Sequence, residues 1–239
     1  MATRITEQDL ADKIIAAVKT KTPFAVARYG DGEYAVAVPC GLTDLCYQKH
    51  LGYIPDARSK KTISRLIRDS IHGLDVIGIT TLQTGFWGDS RVYFEGLAEQ
   101  PIVSLDFHTF FNENQITEQL IGAAEKVLYI SGHTINFEKF KNLKDIIHIQ
   151  IPLQHCKYPN QKPYWPDYFN RTMKYIASHD LTGYLCFIGA GFIGKPFMMA
   201  IKNQGGIAVD FGSNMDRLAG YVIRGAKGKT ATPDNTYKL

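Results

Sequence analysis

The segment GYLCFIGAGFIGKPFMMAIKNQGGIAVDFG, from Gly183 to Gly212, decides the fold class of this 239-residue chain. It begins with the apolar run GYLCFIG, continues through a glycine turn into the predicted helix KPFMMAIKNQ, and ends with the apolar run GIAVDFG. A strand, a helix and a second strand in this order are typical of the repeating unit of a parallel sheet. The segment therefore predicts an α/β protein.

The same alternation extends toward the N-terminus. Apolar runs typical of buried strands are PFAVAR, LDVIGITT, PIVSLD, KVLYISG and IIHIQIP. Helical patterns lie at 6–19 and at 59–73, where Gly73 is expected to close the helix, and further helices are expected near 115–125 and 167–178. We expect one domain over residues 1–239, layered and with a largely parallel sheet.

Composition narrows the possible classes of protein. The hydrophobic content of 45% is ordinary for a globular chain, and no apolar run is long enough for a signal peptide core or a membrane span. The four cysteines form no CxxC pair, so we expect reduced thiols in a cytoplasmic protein. The net charge of +4 suits an anionic ligand without indicating a dedicated nucleic-acid binder.

The glycine turn has the spacing of a dinucleotide-binding fingerprint. Gly189, Gly191 and Gly194 follow one predicted strand, and Asp210 ends the next. In that fingerprint, glycines let backbone N–H groups approach a diphosphate, and the acid binds a ribose hydroxyl. The alternative is that the glycines only allow close packing of the strand and the helix.

A second polar motif, ARYGDGE, ends the first predicted strand. Arg28, Asp31 and Glu33 are expected in an extended loop, where two carboxylates two residues apart lie on one side and can share a divalent ion. Arg28 could then bind a phosphate held by that ion. The alternative is a solvated turn in which Arg28 pairs with Glu33.

Together, ARYGDGE and FIGAGFIGKPFMMAIKNQGGIAVDFGSNMDRLAG resemble the GT-D type glycosyltransferases, which carry a DxE motif in an RxGDGE setting. The resemblance implies a Rossmann-like fold, a nucleotide-sugar donor and a divalent metal, Mn²⁺ or Mg²⁺. It implies that Asp31 and Glu33 bind the metal and the diphosphate. The residues expected to bind the nucleotide sugar include Asp210, the acid of the fingerprint. The full set is Arg28, Gly30, Gly189, Gly191, Lys195 and Asp210.

Sugar transfer also needs a group that accepts the proton of the acceptor hydroxyl. Candidates at predicted strand ends are Asp106, His108 and His133, although a histidine in such a place is more often structural. Aromatic residues that could stack on a sugar or base, or simply pack under a loop, are Trp87, Tyr164 and Trp165.

Several functions stay open at this point. The resemblance implies a glycan or glycoconjugate acceptor, whereas the basic residues Arg224, Lys227 and Lys229 keep hydroxylated bases of DNA as an alternative. An NAD-dependent oxidoreductase would use Gly189 to Asp210, and a nucleotide-binding module would keep the pocket without turnover.

Overall fold

A seven-stranded sheet forms the centre of the protein, in a computed structural model that describes residues 2–153 and 162–220. The strands are β1 (Phe24–Tyr29), β2 (Val76–Ile79), β3 (Ile102–Ser104), β4 (Lys126–Ser131), β5 (Asp145–Gln150), β6 (Tyr184–Ile188) and β7 (Ile207–Asp210). Their order across the sheet is β3-β2-β1-β7-β6-β4-β5, and all six pairings are parallel. The predicted α/β class with a largely parallel sheet is confirmed.

Helices cover both faces of this sheet. They are α1 (Glu7–Thr20), α2 (Asp31–Ala37), α3 (Thr43–Leu51), α4 (Ala57–Ser70), α5 (Gly85–Leu97), α6 (Phe107–Glu113), α7 (Ile116–Ala123), α8 (Asp167–Ala177), α9 (Lys195–Asn203) and α10 (Asn214–Leu218). One apolar core lies under α2, α3, α4, α5, α8 and α9, and the other lies under α1, α6, α7 and α10. Six of the strands are largely buried, which explains their continuous apolar runs, whereas the edge strand β5 is partly exposed.

Local signals account for the helices that the sequence predicts. Helix α1 starts at a capping box, in which Thr6 and Asp9 each accept a hydrogen bond from the backbone N–H of the other. The predicted helix at 59–73 begins earlier, at Ala57, and ends at Ser70, where a short 3-10 helix (Ile71–Gly73) follows. None of the helices in the described ranges is long and apolar enough to cross a membrane.

The parallel arrangement determines where a ligand can bind. Every strand ends at the same edge of the sheet, so the segments after Tyr29, Ser104, Ser131, Ile188 and Asp210 lie near one another. Open parallel sheets bind their ligands at this carboxyl edge. The polar motifs predicted from the sequence follow these strands.

Candidate active site

A cleft of about 520 Å³ opens at the carboxyl edge of the sheet. Nine of the eleven predicted site residues line it: Arg28, Gly30, Asp31, Glu33, Asp106, His108, His133, Gly189 and Gly191. Segments far apart in the sequence therefore meet in one cavity of the size that small-molecule sites usually have. The remaining two predicted residues, Lys195 and Asp210, do not line the cleft and lie buried beneath it.

The expected extended loop at Asp31 and Glu33 is wrong, because these residues form the first turn of helix α2. Gly30 is the N-cap, and its backbone N–H donates to Glu33 Oε2 at 3.0 Å, which is half of a capping box. Residues two apart on a helix do not share a side. Asp31 is exposed at the cleft, whereas Glu33 turns toward the protein interior.

A buried ion network lies under the cleft. Lys195 Nζ is 2.8 Å from Glu33 Oε1 and 2.6 Å from Asp210 Oδ2, and the Lys195 side chain is only 3% exposed. Asp210 also accepts a hydrogen bond from the backbone N–H of Arg28 at 3.1 Å. Lys195 therefore joins β7 to the start of α2, and through Asp210 to the end of β1.

The network keeps its carboxylates ionised. Burial would raise the pKa of Glu33 and of Asp210. Lys195 outweighs burial together with the Gly30 N–H at Glu33 and with Arg28 at Asp210, so both pKa values lie below their ordinary range. Burial would likewise lower the pKa of Lys195, yet Asp210 and Glu33 raise it above its ordinary value. Each charge is thus stabilised by its partners.

The Arg28 guanidinium reaches into the cleft from β1. Its Nε lies 3.7 Å from Asp210 Oδ1, and its Nη1 contacts the His108 ring, 3.1 Å from Nδ1. It packs against Gly212, where an added Cβ would lie 2.0 Å from Arg28 Nη2. The pairing of Arg28 with Glu33, which the solvated-turn alternative expects, is wrong because Glu33 pairs with Lys195.

The fingerprint glycines have different structural roles. A Cβ on Gly189 would lie 2.4 Å from Met215 Cγ, so this glycine lets helix α10 pack against the end of β6. Gly191 has φ +59°, and its nearest neighbour would be His50 Nδ1 at 3.5 Å. The packing alternative therefore explains Gly189, whereas Gly191 is required by its backbone conformation and faces the open cleft.

We expect Gly191→Val to weaken nucleotide binding with only a moderate loss of stability. A branched residue at this φ costs about 1–2 kcal/mol or somewhat more, and its side chain would enter the cleft. Thermal unfolding and nucleotide titration of the same sample separate the two effects. Severe unfolding with unchanged affinity in the folded fraction would show that Gly191 serves packing alone.

The three candidate bases occupy different environments. Asp106 is exposed at the cleft and starts helix α6. His108 is buried and contacts the Arg28 guanidinium. His133 is buried at the end of β4, with Nε2 at 3.3 Å from Oδ1 of Asp216.

The three aromatic residues singled out in the sequence lie in different parts of the structure. Trp87 and Tyr164 line the cleft, whereas Trp165 packs in the core against Phe169, with ring centroids 4.9 Å apart. The basic residues Arg224, Lys227 and Lys229 lie outside the described residues, as do residues 154–161.

Two groups of cleft residues were not predicted from the sequence. Asn214 and Asp216 of α10 line the cleft, as do Leu45 and Lys49 of α3 and Leu42, which precedes that helix. The sequence SNMDR after β7 carries a helix signal but no site motif, and α3 has no marked amphipathic pattern. Their positions follow from the packing of α10 on Gly189 and of α3 on α2.

Comparison with known proteins finds similarity in fold but none in sequence. No protein-family model matches the chain, and no curated protein matches its sequence. A glycosyltransferase of the DUF1792 family from Streptococcus sanguinis superposes with a TM-score of 0.58 at 13% identity, covering 92% of this chain and 83% of its own.

Two further solved structures superpose in the same way. A selenomethionine-substituted structure of domain of unknown function 1792 has a TM-score of 0.58 at 10% identity, covering 92% of this chain and 79% of its own. A third structure, described as domain of unknown function 1792 with a distinct glycosyltransferase fold, has a TM-score of 0.56 at 10% identity, with coverages of 88% and 78%. The chain has this fold, and the predicted Rossmann-like architecture is confirmed.

Proposed function

We propose that this protein is a metal-dependent glycosyltransferase. It would move a sugar from a nucleotide-sugar donor, most simply a UDP-linked one, to a hydroxyl of a glycan or glycoconjugate. The observation that carries the proposal is one cleft shared by the Asp31 carboxylate, the Arg28 guanidinium and the glycine turn at Gly191. Its likeness in fold to proteins described as glycosyltransferases supports the same reaction class.

The residues present fit a divalent ion bound jointly with a diphosphate. Asp31 offers an exposed carboxylate, and each Glu33 oxygen has a second lone pair beyond its bond to Lys195 or Gly30. Within the described residues, no group of three His, Cys, Asp or Glu side chains is arranged to hold a metal. Mg²⁺ at nucleotide sites is usually held by one or two carboxylates plus substrate phosphates and water.

Oxygen ligands of this kind suit Mg²⁺ and Mn²⁺. When bound there, the ion would supply Lewis-acid stabilisation of the departing diphosphate. Asp31 and Glu33 would hold the ion, and Lys195 helps to keep the Glu33 carboxylate ionised.

Arg28 would bind the diphosphate directly. Its guanidinium is fixed by Asp210, His108 and Gly212, so it needs little reorganisation when a phosphate arrives. An arginine with a fixed orientation can donate two parallel hydrogen bonds to phosphate oxygens. Charge that develops on the leaving diphosphate would meet a donor already in place, which is the arrangement that favours catalysis.

Asp106 is the candidate that best suits the role of general base. It is an exposed carboxylate of the cleft, and the adjacent Leu105 would contact a Cβ placed on Gly30, so Asp106 lies close to the start of the α2 motif. In the reaction, Asp106 would take the proton of the acceptor hydroxyl as its oxygen attacks the anomeric carbon. The bond from that carbon to the diphosphate oxygen would break at the same time.

We expect Asp106→Asn to lower the transfer rate by about 10²-fold or more, the lower end of general-base effects, and to leave nucleotide affinity unchanged. Single-turnover transfer and nucleotide titration on one preparation measure the two quantities. A variant with the wild-type transfer rate would remove Asp106 from the reaction.

Thermal shifts with and without metal test the proposed function. Stabilisation by a nucleoside diphosphate only in the presence of Mn²⁺ or Mg²⁺, followed by slow hydrolysis of a nucleotide sugar, is the expected result. Stabilisation by NAD without metal would favour the oxidoreductase instead. Metal-dependent stabilisation without hydrolysis of the donor would instead support a nucleotide-binding module that has no turnover.

A further inference from the structure

The acid that the fingerprint assigns to the ribose is not available to a ligand. Asp210 is 4% exposed and is not among the residues that line the cleft. Its Oδ2 accepts hydrogen bonds from Lys195 Nζ at 2.6 Å and from the Arg28 backbone N–H at 3.1 Å. A ribose hydroxyl could replace these partners only by breaking the buried ion network.

Asp216, six residues after Asp210, is an acid that does line the cleft. Asp216 lies on α10, whose residue Met215 occupies the space that a side chain on Gly189 would need. The glycine thus brings α10 over the end of β6, beside the glycine turn. The acid of this segment that faces the cleft is therefore Asp216, on the helix after β7, and not Asp210 at the end of β7.

The surroundings of Asp216 suit a ligand that carries hydroxyl groups. Asp216 Oδ1 is 3.3 Å from His133 Nε2, and the two side chains are 18% and 8% exposed. A carboxylate can accept several hydrogen bonds, so this contact leaves capacity for a diol. Asn214 lines the same part of the cleft and is 3% exposed, and its Nδ2 has no hydrogen-bond partner among the described residues.

We propose that Asp216 binds the ribose 2′ and 3′ hydroxyls of the donor nucleotide, with His133 as the residue that positions its carboxylate. This assignment rests on the proposed function. The diphosphate would lie at Arg28 and Asp31 beside β1, and β6 is two strands away, about 10 Å at roughly 4.8 Å per strand. An extended nucleoside diphosphate spans such a separation.

Calorimetric titration in the presence of Mn²⁺ tests the assignment. The probes are the tightest binder among UDP, GDP, ADP and CDP, and the 2′,3′-dideoxy form of that nucleotide. The wild type should prefer the ribose form by about 10- to 100-fold, the usual effect of hydrogen bonds to a charged group. Asp216→Asn should lower affinity for the ribose form by that factor and remove the preference, with affinity for the dideoxy form unchanged.

Two further variants complete the experiment. His133→Gln should reduce the preference in the same direction but by less, because the carboxylate remains. Asp69→Asn, an exposed carboxylate on α4 outside the cleft, should leave both affinities at wild-type values.

The outcomes that overturn the assignment differ from one another. If Asp216→Asn keeps the ribose preference, Asp216 does not bind the ribose. If it keeps both affinities but loses transfer turnover, the His133 and Asp216 pair acts on the acceptor instead. If no nucleoside diphosphate binds the wild type at all, the proposed function and this assignment fall together.

Discussion

Lys195→Met is expected to lower the free energy of unfolding by about 3–5 kcal/mol, the usual cost of removing one partner from a buried ion pair. The methionine fills the space of the lysine stem, but it leaves the Glu33 and Asp210 carboxylates buried without their shared cation. For a protein of this size, the melting temperature should fall by roughly 10 °C. Urea denaturation measures the change directly.

Lys202→Met is the matched control, because it makes the same chemical change on the same helix. Lys202 pairs with Asp75 at 2.8 Å, but both side chains are about a quarter to a third exposed. A partly exposed pair contributes about 0–1 kcal/mol. Equal losses in the two variants would contradict the central place of Lys195 in the network.

The pH dependence of stability provides a second signature. In the wild type, the folded pKa of Asp210 is lowered, so its contribution is complete above the ordinary carboxyl pKa near pH 4 and is lost as the pH falls through the lowered folded value. In Lys195→Met, burial would raise that pKa instead. The variant should then become more stable as the pH falls from about 8 toward 5, whereas the wild type should not.

Six of the strands were predictable because burial gives each one a continuous apolar run, and the partly exposed edge strand β5 was predictable from its three isoleucines. All seven predicted strands exist, and the parallel sheet then gathers their polar ends at one edge without further information. Nine of the eleven predicted site residues consequently share one cleft. The helices α2, α3, α5 and α6 were missed, since three of them are short or weakly amphipathic and α2 begins at residues that also suit a turn.

The direction in which individual side chains point could not be predicted from the sequence. Glu33 and Asp31 are two residues apart in either conformation, and only the helical start of α2 places one inside and the other outside. Lys195 was expected at the donor, yet its Nζ lies between two carboxylates that come from distant segments. The position of Asp216 in the cleft could not be predicted, because it depends on the packing of Met215 against Gly189.

Asp31→Asn is expected to abolish metal-dependent nucleotide binding while leaving stability within about 0.5 kcal/mol of the wild type. The side chain is exposed, and among the described residues it forms no ion pair. Its only hydrogen bond in the described structure is to the neighbouring Gly32 N–H, at 2.9 Å, and an amide oxygen can accept that bond equally well. The change therefore removes negative charge from the cleft and little else.

Glu33→Gln should lose metal-dependent binding and stability together. Both acids are expected from the sequence in an extended loop, but Glu33 is part of the buried network. The glutamine keeps an acceptor for the Gly30 N–H and removes the charge that faces Lys195. We expect a loss of about 1–3 kcal/mol, the cost of weakening one hydrogen bond to a buried charged group.

The two variants together separate a metal site from a helix start. Acidic residues in the first turn of a helix also stabilise the helix by about a few tenths of a kcal/mol, through their interaction with the helix dipole. That effect would explain the presence of Asp31 and Glu33 without any ion. Nucleotide affinity measured with and without Mn²⁺, alongside urea denaturation, distinguishes the two explanations. If Asp31→Asn binds the nucleotide with wild-type affinity at low Mn²⁺ concentration, these acids serve the helix alone. If both variants lose binding and only Glu33→Gln loses stability, Asp31 acts at the ligand and Glu33 acts at both the ligand and the fold.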